Sequence, residues 1–310
     1  MSISCIYVGI DVSKDHLDIF DPHHGLLRVA NTATAVAAWA ATPNVEGRFV
    51  IFEATGSYDG VLRQQLEAAG IRFSRVNPER ARDFARASGR RAKTDPVDAK
   101  MLSDLGRRFA PTADDAIDPQ REALALWHKR RDQLVAMRAQ ESVRHSESQD
   151  LQLAAAIARH IAWLDQEIAG LEAQIKTSIR SDPELREIQS RLRSVPGVGL
   201  VTSTTLIALM PELGQRSPGS IAALAGLAPY NNDSGKRSGQ RSIQGGRRRV
   251  RRALYMAALS ASRSKTKLGA FYKNLRSQNR PAKVALIALA RKILVIINAI
   301  MRDKTNFAAA

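Results

Sequence analysis

The first 109 residues impose the tightest constraint on the fold, because apolar period-two runs and period-3.6 runs follow one another there in a fixed order. Residues 5–10, 17–20 and 26–30 read as three strands, separated by turn residues such as Pro22 and Gly25. A helix over 33–41 follows, then a strand over 48–52, a helix over 59–69 and a strand over 72–76. Helices over 79–88 and 96–109 complete the run. The order is β-β-β-α-β-α-β-α, a three-strand meander that continues as alternating strand and helix.

Acidic residues fall at the positions that matter in such an order. Gly9-Ile10-Asp11 ends the first strand and Glu53 ends the fourth. In Lys93-Thr-Asp-Pro-Val-Asp-Ala-Lys100, Asp95 can cap the last helix while Asp98 sits one turn further on, so both can face one point. Arg90, Arg91, Lys93 and Lys100 surround them. This is the pattern of an α/β ribonuclease H-like domain, whose carboxylates converge on divalent ions. All-oxygen ligands suit Mg²⁺ or Mn²⁺ and not zinc. Two such ions can align the attacking and leaving oxygens of a phosphodiester. Each residue alone has a plainer reading, a turn aspartate or a helix cap; the four in order carry the argument. A kinase-type phosphate loop at Gly9-Ile-Asp-Val-Ser-Lys14 would need a second glycine-rich loop, and the sequence holds none.

With 310 residues the chain can form two domains, or two joined by a helical segment. Its 47 Lys and Arg against 30 Asp and Glu give a net charge of +17, which points to a polyanionic partner, nucleic acid first. The basic residues do not follow one amphipathic helix, so no membrane partner is expected. The single cysteine, Cys5, gives no disulfide framework and fits a reducing cytoplasm. No signal peptide is evident, and the most apolar run, 285–300, is interrupted by Arg291 and Lys292 and reads as a buried C-terminal helix.

A Pro-flanked acidic stretch at 111–119 marks a boundary. Domains are expected at 1–112, 113–185 and 186–310, the middle one a helical coiled-coil linker. Two long helical patterns cover 120–149 and 151–179. Ile157, Ile161, Leu164, Ile168, Leu171 and Ile175 form a seam in the second, satisfied either by an antiparallel hairpin within the chain or by another copy. His145 and His160 lack the company of zinc ligands.

The last third is expected to be mostly helical, with a helix-hairpin-helix at Ser194-Val-Pro-Gly-Val-Gly199 and 200–210. Backbone N–H groups around Gly197 and Gly199 would cradle a phosphate there. A short apolar helix at 221–229 leads to a polar loop, 230–246, carrying Lys236, Arg237 and Arg241. Arg247, Arg248, Arg249, Arg251 and Arg252 then open a helix and read as a phosphate clamp.

Six blocks resemble one family. Gly-Ile-Asp11, Glu53-Ala-Thr-Gly56, Lys93-Thr-Asp95-Pro-Val-Asp98-Ala, Pro196-Gly-Val-Gly199, Ala225-Gly-Leu-Ala-Pro229 and Arg251-Arg-Ala-Leu-Tyr-Met256 are similar to those of the bridge-RNA-guided DNA recombinases. These are transposases of bacterial insertion sequences, related to the pilin-gene invertases. The resemblance implies a RuvC-like domain with Asp11, Glu53, Asp95 and Asp98 as metal ligands, a coiled coil, and a transposase domain with a nucleophilic serine at the position of Ser234. It further implies a covalent phosphoserine intermediate, donor and target DNA, a structured non-coding guide RNA, and dimers that pair into a tetramer. Action in the cytoplasm at the nucleoid also follows from it. On sequence alone Ser238 and Ser242 rival Ser234. The competing enzyme reading is a metal-dependent nuclease or junction resolvase that uses water, the serine loop only binding. A non-enzymatic nucleic-acid scaffold is the third.

Overall fold

The computed structural model describes residues 5–42, 47–54, 56, 58–89, 95–114, 118–231, 239 and 241–308, with Asp95 and Pro96 as backbone only. The chain forms two compact units, Met1–Ala116 and Ile117–Ala310.

The first unit holds a mixed five-stranded sheet of order β3-β2-β1-β4-β5. β1 (Ile6–Val12), β2 (His16–Asp21) and β3 (Gly25–Ala30) are the antiparallel meander. β4 (Arg48–Glu53) and β5 (Arg72–Val76) run parallel to β1, and β4 is almost wholly buried, as a central parallel strand should be. The helices are α1 (Ala33–Ala40), α2 (Gly60–Ala68), α3 (Pro78–Ala87) and α4 (Asp95–Phe109). All lie where the sequence places them, an arrangement compatible with the expected ribonuclease H-like fold. Most boundaries fall within a residue of the expected ones, and β1 extends to Val12, so Asp11 lies within the strand and not at its end.

Each face of the sheet has its own core. Val8, Ile10, Leu17, Ile19, Val50 and Phe52 pack with Val36, Trp39, Leu62 and Leu66 on one side. Phe49 and Ile51 pack with Ala81, Met101, Leu102 and Leu105 on the other, the side α4 covers. Each fully buried Leu or Ile here contributes roughly 1.5–3 kcal/mol. α4 approaches β1 to backbone contact. A β-carbon at Gly9 would lie 1.9 Å from the Ala99 carbonyl oxygen. The Ser103 hydroxyl donates to the Tyr7 carbonyl at 2.6 Å.

The second unit is mostly helical. α5 (Pro119–Glu147) and α6 (Leu151–Ser181) form a long hairpin, capped by Asp118 and Asp150 at their N-termini. Leu164 and Ile168 meet Leu134 across it, whereas Ile157 and Ile161 nearer its tip are only half-buried. α6 ends at Ser181, and Pro183 opens α7 (Pro183–Ser194) at its first position, where its missing N–H costs nothing. α8 (Leu200–Leu209), α9 (Pro218–Leu224), α10 (Arg248–Ala261), α11 (Lys267–Ser277) and α12 (Ala282–Asp303) follow. A two-residue ladder, β6 (Pro229–Tyr230) with β7 (Ser242–Ile243), interrupts them. α12 is long and apolar enough to cross a membrane, yet half of its most apolar window is buried in this unit. Leu289, Ile293 and Ile297 sit in one core with Leu254, Leu192 and, from the base of the hairpin, Leu124 and Ile179.

Candidate functional site

Register assembles the acidic site. Ile10 and Val12 point into the α1–α2 core, so Asp11 between them points to the α4 face. Asp11 stands directly opposite Asp18 on β2, and Asp18 opposite Arg28 on β3. The parallel register between β1 and β4 reaches Ile10 opposite Phe52, so Glu53 stands in step beside Asp11. Glu53, Asp11, Asp18 and Arg28 thus form one row across four strands, on a single face. Asp98, half-buried, lies in the first turns of α4, beside the Ala99 that Gly9 admits against β1. A glycine therefore sets how closely the turn of α4 that bears Asp98 packs on β1.

Among the described residues, no three His, Cys, Asp or Glu side chains close into a metal-holding cluster. Lys93 and the side chain of Asp95 lie outside those residues. The donor set itself, carboxylates only, fits a hard divalent cation.

Asp18 is a neighbour that the sequence reading missed. It is 5% exposed and accepts from Arg28 Nε and Nη2, both at 2.9 Å, with His16 Nε2 3.5 Å away. The signal was present: Asp18 alternates with Leu17 and Ile19, which places it on the face of Asp11. Lys100 lies on the same helix as Asp98, with Nζ 5.6 Å from the centre of the Phe20 ring.

In the second unit Ser234, Lys236, Arg237 and Ser238 lie outside the described residues. The structure does describe the two feet of their loop. Gly226 and Gly246 both have φ near +65° and touch backbone to backbone; a β-carbon on Gly246 would lie 2.2 Å from the Gly226 nitrogen. Arg247 N–H donates to the Leu224 carbonyl at 2.7 Å. Arg251 Nη1 bridges the carbonyls of Gly226 and Gly245 at 3.2 and 2.7 Å. Ser242, the other serine considered, is in β7 and exposed, as is Arg241.

The arginine run divides in two. Arg247 holds Glu212 through two contacts of 2.6 and 2.5 Å and donates to the Leu209 carbonyl. Burial raises the carboxyl pKa of Glu212, but the Arg247 hydrogen bonds and charge outweigh it and leave it below the usual range. Arg249 holds Asp132 at 2.8 Å. Arg248 and Arg252 point to solvent. Close by, His128 is 2% exposed with Nε2 2.7 Å from Thr204 Oγ1, and burial pushes its pKa down to about 4.

The two glycines of the α7–α8 turn also separate. A β-carbon on Gly197 would lie 2.3 Å from the Ala257 carbonyl oxygen, so its positive φ of +89° serves packing against α10. Gly199 is exposed, has open space around it and begins α8, leaving the first N–H groups of that helix accessible.

Comparison with known sequences gives matches along most of the chain. A family model described as "Transposase IS116/IS110/IS902 family" matches residues 189–273. A second transposase model, for the DEDD domain of IS110-type elements, matches residues 8–147. The pilin gene-inverting protein of Moraxella bovis is 29% identical over 327 aligned positions, covering 98% of each chain. Its counterpart in Moraxella lacunata is 28% identical over the same span. An uncharacterised protein of the insertion element IS116 from Streptomyces clavuligerus is 31% identical over 177 positions, 56% of this chain and 43% of that one.

Proposed function

The chain belongs to the IS116/IS110/IS902 family of transposases, and from that premise we propose that it cuts and rejoins donor and target DNA through a covalent phosphoserine at Ser234, with divalent-metal assistance and site choice by a structured guide RNA. The observation that supports this reading is the common sheet face of Asp11 and Glu53, set by strand register, with the turn of α4 that bears Asp98 packed on β1 at Gly9. With Asp95, these residues would hold Mg²⁺ or Mn²⁺. A bound ion would supply charge neutralisation at the phosphodiester.

The chain's own residues do the rest. The Ser234 hydroxyl attacks phosphorus; the serine–phosphate bond forms, the bond to the 3′ oxygen breaks, and the serine proton ends on the departing 3′-hydroxyl. A 3′-hydroxyl of another strand then reverses the step, so strands exchange without hydrolysis. Arg241, Arg248, Arg252, Lys236 and Arg237, with the open N–H groups at Gly199, grip phosphates, as in a helix-hairpin-helix. The α5–α6 hairpin serves as the coiled-coil link. Acid face and serine come together from different protomers, as dimers pair into a tetramer at the cytoplasmic nucleoid.

The test is trapping. Incubated with nicked or junction DNA and Mg²⁺, then denatured, the wild-type chain should carry DNA on Ser234. Ser234→Ala should lose both adduct and rejoining, and Asp11→Ala should lose cleavage. Cutting that survives in Ser234→Ala would instead establish the water-using nuclease. An adduct on Ser238 or Ser242 would move the nucleophile and keep the mechanism.

A further inference from the structure

α7 separates its charges around its axis. Glu184, Glu187 and Arg191 share one side, where Arg191 pairs with Glu187, and they line a cavity of about 360 Å³ floored by Leu206, Ile207 and Met210. Leu185, Ile188 and Leu192 face the core. The remaining side carries Arg186, Gln189, Ser190 and Arg193, spaced i, i+3, i+4 and i+7 and so aligned in one stripe. With Ser194 and Asn306 they line an open groove of about 500 Å³.

Three observations define what fits this groove. Arg186 and Arg193 are exposed, and no carboxylate among the described residues pairs with either. The Gln189 side-chain nitrogen is buried and has no acceptor among the described residues. The far wall is fixed, because Phe307 N–H donates to Ser194 Oγ at 2.9 Å and so ties the segment bearing Asn306 to α7. The two arginines stand roughly 10 Å apart along the helix axis, about the rise of three phosphates on one strand. No aromatic ring lines the groove, so it offers no platform for unstacked bases and suits a continuous backbone. The stripe runs toward the Pro196–Gly199 turn and the open N–H groups of α8.

We propose that this face of α7 is a docking surface for the sugar–phosphate backbone of duplex DNA, with Arg186 and Arg193 each engaging a phosphate and Gln189 donating between them. The proposal rests on the reading of the chain as acting on DNA, and adds a contact surface outside the loop and arginine run considered above. On the opposite side of the helix Arg191 is held by Glu187, so the two arginines that lack a carboxylate partner among the described residues both lie on the groove side.

The test measures binding of the full-length chain to a short DNA duplex of arbitrary sequence across a salt series, and to a structured RNA of equal nucleotide count. Arg186→Gln and Arg193→Gln should each lower the slope of log affinity against log salt by about 1, and the double variant by about 2. Arg191→Gln, on the opposite side and paired with Glu187, should leave the slope unchanged. RNA binding should not move in any variant. An unchanged slope in the double variant overturns the proposal. So does an equal loss on RNA and DNA, which would make the groove a general polyanion surface. Failure of the wild-type chain to bind duplex DNA at all would overturn the DNA-acting reading itself, and this surface with it.

Discussion

The acidic face of the first unit and the arginine run of the second are both dense clusters of charge, yet they are built on opposite principles. On the sheet, neighbours in space follow from register: once β1 pairs with β2 and β4, Asp11 must stand beside Asp18 and Glu53. On α10 the partners come from far along the chain, Glu212 to Arg247 and Asp132 to Arg249. Charge in a strand declares its place; charge on a helix surface declares only its side.

If that contrast is right, the largest effect should come from a residue with no charge at all. Gly9→Ala forces a methyl against the Ala99 carbonyl, and α4 must lift from β1. We expect a loss of about 3 kcal/mol or more in the first unit, seen as a lower thermal midpoint and faster hydrogen exchange in β1 and α4. Unchanged stability would mean that the close approach does not set the acidic face.

The second unit should show its own signature in acid. His128 has a folded pKa of about 4 against an ordinary value of 6.5. The unfolded chain therefore takes up a proton that the folded chain refuses. The stability this group contributes is complete above pH 6.5 and disappears progressively as pH falls toward 4, by about 3 kcal/mol. Urea unfolding across that window should show the loss, and His128→Gln should remove most of the slope.

Smaller, and aimed at the arginines themselves, is a comparison of two adjacent ones. Arg247→Ala should cost about 1–2 kcal/mol, because Glu212 and the Leu209 carbonyl lose their donor. Arg248→Ala should change stability by no more than about 0.5 kcal/mol and act only on DNA affinity. Equal stability losses would erase the division between holding and gripping.

Much of the first unit was legible beforehand. Strand alternation and helix periodicity gave its elements and their order, and the positions of Asp11, Glu53 and Asp98 followed from them. Local alternation puts Asp18 on the face of Asp11, but its place directly opposite Asp11 depends on cross-strand register, which a local pattern does not encode. In the second unit α6 ends at Ser181 and Pro183 opens α7 directly after it, a start that sequence does not announce because a proline at the first helical position and one beyond a helix look alike. α11 and the β6–β7 ladder went unread. The ladder is only two residues per strand, too short for any period to register. The roles of Arg247, Arg249 and Arg251 were hidden for the same reason as Asp18: each is decided by an acceptor elsewhere in the fold.

The contact between Gly226 and Gly246 has a further consequence. Because the two feet of the intervening segment are locked together by main chain and by Arg251, the helices beneath do not sense what hangs from them. Insertions or deletions between β6 and β7 should leave the scaffold intact, making this a place where chemistry can be rewritten without refolding the unit. A single added methyl at either foot does the reverse, shifting everything it carries while altering none of it.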